Sequence, residues 1–195
     1  MASFIEIDSG LRDRELFPSP VDFTVPAEQL DGWFRKARTT KAHQTHQNLK
    51  TLEFTTSVEL RNLITPFDPD FMIIPRLYVD FHCQDYNDLY LNSSIDGSNR
   101  DSKFVLMLDR LIVNDAGLNV WMVWRSITDK QVMRFRRNSP VVIRVFTRDG
   151  INLPINDDQL PAPPNPTSQI FISFDIRPYA IDASYGNQLL ETTVS

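Results

Sequence analysis

Alternation of apolar and polar residues dominates the central part of the chain and predicts a series of β-strands. The pattern is most regular in Gln169–Arg177, where every second residue from Ile170 to Ile176 is apolar. A strand with this period has one dry face and one face that is wet or covered by a partner. Eight runs are predicted as strands: Lys50–Leu60, Ile73–Cys83, Tyr86–Leu91, Lys103–Val113, Asn119–Arg125, Gln131–Arg136, Val141–Thr147 and Gln169–Arg177.

Turn-forming residues separate these runs, with no helical pattern between them. Ser94–Asn99 and Asn114–Gly117 have turn composition, and Pro161–Pro166 cannot pair as a strand because proline lacks the amide donor. Strands that alternate with turns favour a sandwich or a barrel over a parallel α/β sheet. We therefore predict an all-β fold: an eight-stranded antiparallel jelly-roll β-sandwich with an extended N-terminal arm and one short helix.

The first part of the chain follows neither pattern. Residues 1–26 mix prolines with apolar residues and show no period, which indicates an extended arm. Residues 27–38 are predicted as the helix because apolar residues recur there at spacings of three and four. The predicted organisation is an arm with the helix at 1–48, a single jelly-roll domain at 49–180 and a C-terminal tail at 181–195.

Composition changes this picture only by excluding some classes of protein. The chain has 195 residues, a net charge of −5 and a pI of about 5.2, which argues against a dedicated nucleic-acid binder. No apolar run is long enough to predict a membrane span. The single cysteine, Cys83, excludes an internal disulfide and a cysteine-built zinc site. The first residues lack the regions of a signal peptide, so we do not expect secretion by that route.

Residues able to carry catalysis or to bind a metal are few. His43 and His46 have the spacing of metal ligands on a helix, but their polar surroundings indicate no third ligand. His82 and Cys83 are neighbours on a predicted strand, so they face opposite ways and cannot form a dyad with each other. We predict no catalytic residue, no metal site and no cofactor.

Two kinds of charged residue leave alternatives open. Loop aspartates such as Asp68 and Asp70 suit either calcium binding or the capping of turns. Arginines are concentrated in the second half of the chain, and they suit a solvated face, ion pairs in an assembly or contact with nucleic acid. Among these arginines we take Arg134, Arg136 and Arg137 as interface candidates.

Two tryptophans are further interface candidates. Trp121 and Trp124 are three positions apart in a predicted strand, so alternation turns them to opposite faces. At least one is therefore expected to face away from the core. A large aromatic side chain there suits a protein interface or a sugar-stacking face.

The opening segment Phe4–Val25 carries a motif: Ile-Asp-Ser, then Arg-Asp-Arg after two residues, then Phe-Pro-Ser-Pro and Asp-Phe. It resembles an arm found near the start of small structural proteins of large icosahedral DNA viruses, a group that includes single jelly-roll penton and minor capsid proteins. The matching residues are Ile7, Asp8, Ser9, Arg12, Asp13, Arg14, Phe17, Pro18, Pro20, Asp22 and Phe23. The predicted assembly arm consists of Phe4, Ile7, Asp8, Arg12, Arg14, Phe17, Pro18, Pro20 and Phe23.

The resemblance implies a structural virion protein that is not an enzyme, namely a penton (vertex) protein that assembles as a homopentamer in an icosahedral capsid. The implied partners are copies of the same chain and the major and minor capsid proteins. The implied location is the virion capsid, assembled in the cytoplasm of the host cell. An arm of this kind is expected to become ordered only on binding its neighbours.

Three other functions remain open at this point. A minor capsid or cement protein that contacts major capsid units would share the fold and differ in symmetry. A carbohydrate-binding β-sandwich would use an exposed tryptophan and loop aspartates. A cupin-type enzyme would need histidines that converge with a carboxylate, for which the histidine spacing offers little.

Overall fold

The computed structural model describes residues 3–25, 53–85, 92–93, 101–113, 119–136, 139–155 and 168–178. Within them the regular structure consists of β-strands and two short 3-10 helices, Ser9–Leu11 and Pro69–Ile73. The strands are β1 Ser3–Asp8, β2 Asp22–Val25, β3 Glu53–Pro66, β4 Leu77–Cys83, β5 Asn92–Ser93, β6 Asp101–Ser102, β7 Phe104–Val113, β8 Val120–Ser126, β9 Gln131–Arg136, β10 Val141–Phe146 and β11 Phe171–Pro178. No helix in these residues is long and apolar enough to span a membrane.

Each predicted strand run that the structure describes overlaps an observed strand, so the all-β class is confirmed. Several predictions fall outside the described residues: the helix at 27–38, the strand Tyr86–Leu91, the connector Pro161–Pro166, the tail at 181–195, His43, His46 and Arg137.

In the described part of the chain, nine strands form one antiparallel sheet in the order β1-β11-β3-β8-β7-β4-β10-β2, with β9 also paired to β3. β5 and β6 form a separate two-stranded ribbon. β8 and β9 pair with successive parts of β3, at positions 62–66 and 53–58 respectively. Residues 127–130 therefore interrupt what would otherwise be one long strand beside β3.

The sheet curls until its two halves face each other. The ring centroid of Phe81 on β4 lies 4.4 Å from that of Phe174 on β11 and 6.0 Å from that of Phe135 on β9. Because β3, β8 and β7 separate β4 from β11 in the sheet order, these rings can meet only across the inside of the curl. The concave side therefore holds the core, where burying one phenylalanine side chain stabilises the fold by roughly 1.5–3 kcal/mol.

Alternation along the strands decides which residues point into the core. The core residues of β4 and β10 are Leu77, Val79, Phe81, Cys83, Val141, Ile143 and Val145. Arg144, which stands between two of them, is exposed on the convex side. The predicted dry faces of these strands are thus the inner faces of the curled sheet.

The N-terminal segment corrects the predicted division between arm and domain. β1 pairs with β11 along its whole length and β2 pairs with β10, so residues 3–25 are part of the sheet. Their inward residues belong to the core: Ile5, Ile7, Val21, Phe23 and Val25. The alternation in β1 and β2 is short and is surrounded by prolines and charged residues, which is why the sequence indicated an arm.

Candidate interaction surface

Residues of the N-terminal motif build the corner that joins β1 to β2. The amide of Gly10 donates to a carboxylate oxygen of Asp8 at 2.7 Å. The hydroxyl of Ser9 donates to Oε1 of Gln169 at 3.0 Å and accepts the amide hydrogen of Ile170 at 2.9 Å. These bonds fasten the corner to the residues just before β11.

Arg12 is buried inside this corner, with 6% of its surface exposed. Its guanidinium donates to the backbone oxygens of Ser9, Phe17 and Pro18 and to Oε1 of Gln169, each at 2.7 Å. The planar, forked guanidinium can reach acceptors in several directions at once, which an ammonium cannot. The motif arginine is therefore an internal brace.

Asp13 shapes the exposed part of the corner. Its carboxylate accepts the amide hydrogens of Glu15 and Leu16 at 3.1 and 3.2 Å, and its carbonyl accepts that of Phe17 at 2.8 Å. Leu11 and Leu16, on either side of Asp13, are 71% and 70% exposed to solvent. We call residues 11–16 the corner loop.

The other residues of the predicted assembly arm divide between core and surface. Ile7 and Phe23 belong to the core, and Phe17 packs against it. Of the rest, Pro20 is buried, Asp8 and Arg14 are half-buried, and Phe4 and Pro18 are exposed. The structure therefore brings the motif together as one folded corner.

Trp121 and Trp124 lie on opposite faces of β8. Trp124 is fully buried, and its indole nitrogen donates to the hydroxyl of Thr65 at 3.0 Å. Trp124 is thus a core residue, which corrects its selection as an interface candidate. Trp121 is half-buried on the convex face. Its ring contacts the ring of Phe171 edge to face, with 5.8 Å between the ring centroids.

The convex face around Trp121 is apolar. Trp121 is paired with Ile112 of β7, and Phe171 of β11 is paired with Ile64 of β3. Paired residues share a face of the sheet, and the contact between the rings of Trp121 and Phe171 joins the two pairs. We call these four side chains the Trp121 ledge.

The β7–β8 hairpin extends this apolar surface beyond the core. β4 pairs with β7 only at positions 104–106, so β8 is the one strand partner of positions 107–113 among the described residues. Leu111 and Val113 face the opposite side of the hairpin from Ile112, and the three are 42%, 54% and 40% exposed. The hairpin end thus shows apolar side chains to solvent on both faces.

Two arginines flank the Trp121 ledge. Arg110 is exposed and forms an ion pair with Asp109 at 2.6 Å. Arg125 is exposed, and it has no ion pair with any residue that the structure describes. Arginine beside tryptophan is the composition typical of the residues that dominate binding energy in protein interfaces.

The predicted interface arginines of β9 lie on the convex face. Arg134 is exposed. Arg136 is half-buried and forms an ion pair with Asp85 at 3.2 Å. This ion pair joins β9 to the end of β4.

Two pairs of titratable side chains lie on the described strands. Nδ1 of His82 lies 2.9 Å from Oδ1 of Asp80, while Cys83 faces the core. A hydrogen bond to Asp175 raises the pKa of Arg61 above its ordinary value. Over the described ranges, no group of three or more His, Cys, Asp or Glu side chains is placed to hold a metal ion.

An open depression of about 470 Å³ lies where β8 gives way to β9. It is lined by Glu59, Ser126, Ile127, Thr128, Asp129 and Lys130. The backbone there is held firmly, since the hydroxyl of Thr128 accepts the amide hydrogen of Val105 at 2.8 Å. The depression is shallow and mostly polar, and it contains neither histidine nor cysteine.

Sequence reasoning did not single out Leu11, Leu16 or Ile112. A signal for the hairpin was present, because Leu111, Ile112 and Val113 are three consecutive apolar residues before a turn and so make both faces apolar. The two leucines carried no such signal, since only the folded corner decides that they point into solvent.

A comparison with protein-family models finds no match to this chain, and a comparison with curated proteins finds none either.

Proposed function

We propose that this chain is a non-catalytic structural protein of an icosahedral virion, and specifically a penton protein that assembles as a homopentamer at the vertices. Its partners would be copies of itself and the neighbouring capsid proteins. The N-terminal motif suggests the class, and the strand pairing and the exposed hairpin end support it.

The strand pairing supports a jelly roll. If β8 and β9 count as one interrupted strand and the β5–β6 ribbon is set aside, the described residues contribute eight strands to the sheet, which we number here in chain order. The first pairs with the eighth, the second with the seventh, the third with the sixth and the fourth with the fifth. A chain that folds into one long hairpin and then rolls up pairs in this way, and the result is the double Greek key of a jelly roll.

The exposed apolar end of the β7–β8 hairpin is the observation that carries the assembly function. Its three consecutive apolar residues stand at least 40% exposed on a firmly packed sheet. Exposed clusters of apolar side chains often mark interaction sites in soluble proteins, and this hairpin end is apolar on both faces. In a shell, a neighbouring subunit covers it, and the rigid sandwich keeps the contact in a fixed direction.

The mass of the purified full-length protein across a concentration series tests the proposal. We expect a pentamer in light scattering or mass photometry, and five-fold averages in electron cryomicroscopy. A chain that stays monomeric at every concentration would contradict the proposal, as would its absence from virus particles. A pentamer that is found only between major capsid units would instead favour the cement role.

A carbohydrate-binding function is a second candidate, because Trp121 is a half-exposed aromatic residue on a convex sheet face. A glycan array tests it with the wild type and Trp121→Ala. Binding to a defined glycan that the substitution abolishes would favour this function, and an empty array would remove it.

A further inference from the structure

The corner loop and the end of the β7–β8 hairpin lie at opposite edges of the curled sheet, and the Trp121 ledge runs from the hairpin across β3 to Phe171 of β11. β1 and β2 are the two ends of the strand order, and the corner loop lies in the connection between them. β7 and β8 are the two middle strands of the same order. Because the sheet curls on itself, its joined ends and its middle face in opposite directions.

The two surfaces lie at the same height along the strands. Asp8, which leads into the corner loop, is paired with Phe171, and Phe171 is paired with Ile64 near the end of β3. Trp121 is paired with Pro66, two residues further along the same strand. A contact between the two surfaces of neighbouring copies therefore needs a rotation with little shift along the strand direction.

The two surfaces are also complementary in chemistry. The corner loop offers two exposed leucines, and the ledge offers Ile112 and Trp121 as apolar partners. The corner loop carries two acids and one arginine (Asp13, Glu15 and Arg14), and Arg125 lies on the face of the ledge without an ion pair among the described residues, whereas Arg110 is paired with Asp109. A net negative loop and the arginine beside the ledge attract each other during the encounter.

The corner loop needs little further ordering to bind. The brace at Arg12 and the cap at Asp13 already hold the backbone that presents Leu11 and Leu16. A preorganised loop loses less conformational freedom on binding than a flexible arm does. The two leucines can therefore contribute most of their burial to affinity.

We propose that the corner loop of one copy docks against the Trp121 ledge and the β7–β8 hairpin end of the next copy, so that this chain assembles head to tail. The proposal deepens the proposed function, since it names the surface through which the copies join. Two different patches in contact make a heterologous interface, which closes into a ring when the rotation between copies closes. The shared height of the patches favours a closed ring over a helical filament.

Two complementary variants test the contact in the full-length protein. The loop variant carries Leu11→Asp with Leu16→Asp, and the ledge variant carries Ile112→Asp with Arg125→Glu. Each alters only exposed side chains, so both are expected to fold. Ile127→Asp is the matched control, because Ile127 is 52% exposed and lies on neither surface. Circular dichroism and thermal unfolding check that all three remain folded.

We expect each variant alone to be monomeric, with its dissociation constant raised by about 30-fold or more. An equimolar mixture should form a heterodimer, because one intact loop and one intact ledge then remain for a single contact. The control should assemble like the wild type. The heterodimer shows that the loop of one copy meets the ledge of another, since contacts of loop with loop or of ledge with ledge would not be restored by mixing. A wild-type assembly larger than a dimer then excludes reciprocal two-fold pairing.

The outcomes separate this inference from the proposed function. A wild type that is always monomeric contradicts the proposed self-assembly itself. A wild-type ring that both variants still form contradicts only the contact inferred here. Loss of assembly in both variants without a heterodimer in the mixture also overturns the head-to-tail arrangement.

Discussion

At the scale of single residues, Arg12 shows a charged side chain that works as an internal brace. It is buried, and it donates at once to acceptors in the corner and to the side chain of Gln169, two residues before β11. Buried backbone oxygens that lose their donor leave desolvated acceptors behind, which is costly. The arginine of the motif is therefore explained by the fold of this chain, before any partner is considered.

Replacing Arg12 with methionine should lower the free energy of unfolding by roughly 2–4 kcal/mol, because several buried acceptors lose their donor. Arg12→Lys should recover only part of the loss, since one ammonium cannot span the same acceptors. Urea unfolding followed by circular dichroism measures both. Arg76→Met, at an exposed position, is the control and should change the value by less than about 0.5 kcal/mol. Equal stability of the Arg12 and Arg76 variants would show that the brace contributes nothing.

The two tryptophans provide a second prediction at this scale. Trp124→Ala should cost about 3–5 kcal/mol in unfolding free energy, because it leaves a cavity and an unpartnered hydroxyl on Thr65. Trp121→Ala should cost clearly less, since Trp121 is half-buried, and should weaken self-association. Thermal unfolding and sizing separate the two effects. The opposite ranking of the two stabilities would mean that the core and surface roles are reversed.

At the scale of elements, β1 and β2 are the two end strands of the sheet, and the corner between them connects these ends. Each contributes inward residues to the core, and the corner between them is fastened to the start of β11. The hairpin of β7 and β8 is the contrasting element, because its end extends beyond β4 and exposes both faces. β1 and β2 therefore cover the core at the two ends of the curled sheet, whereas the hairpin end extends away from the core.

Deleting residues 1–25 should prevent stable folding, because it removes two strands and uncovers the core beside β10 and β11. The measurements are far-ultraviolet circular dichroism and soluble yield. Phe4→Ser serves as the control, since Phe4 is 63% exposed on β1 and its loss should leave the fold intact. A truncated chain that unfolds cooperatively at the wild-type temperature would restore the idea of a separable arm.

At the scale of the whole molecule, the proposed function depends on the distribution of exposed apolar and charged groups over the curled sheet. The corner loop and the β7–β8 hairpin end lie at opposite edges of the curled sheet, and the loop has a net negative charge whereas Arg125 beside the ledge is positive. Charges of this kind act over about 10 Å at 0.1 M salt. They therefore influence how fast copies meet more than how long they stay together.

Raising the salt concentration should slow the association of copies and leave the dissociation rate almost unchanged. Arg125→Gln should reduce the salt dependence of the association rate, because it removes one exposed charge of the ledge. Stopped-flow light scattering across a salt series measures this effect. The same salt dependence in the wild type and the variant would show that Arg125 takes no part in steering.

The strands of the middle of the chain could be predicted because burial on one face imposes a period of two over six or more residues. Gln169–Arg177 and Val141–Thr147 are clear cases, and both overlap observed strands. The strands β1 and β2 could not be predicted in this way, because their short alternations are surrounded by prolines and charged residues. The candidate site was found only in part: alternation turned Trp121 and Trp124 to opposite faces, but it could not decide which of them lies inside.

The sequence by itself determined the all-β class, the alternation of the long strands and the opposite directions of the two tryptophans, because these follow from local periodicity. Only the tertiary structure decided that β1 and β2 complete the sheet, that Trp124 lies in the core and that Leu11 and Leu16 stand in solvent. These facts depend on pairing between residues far apart in the chain, as between Ser9 and Gln169. Local patterns set how a segment can fold, whereas distant contacts set which neighbour it meets.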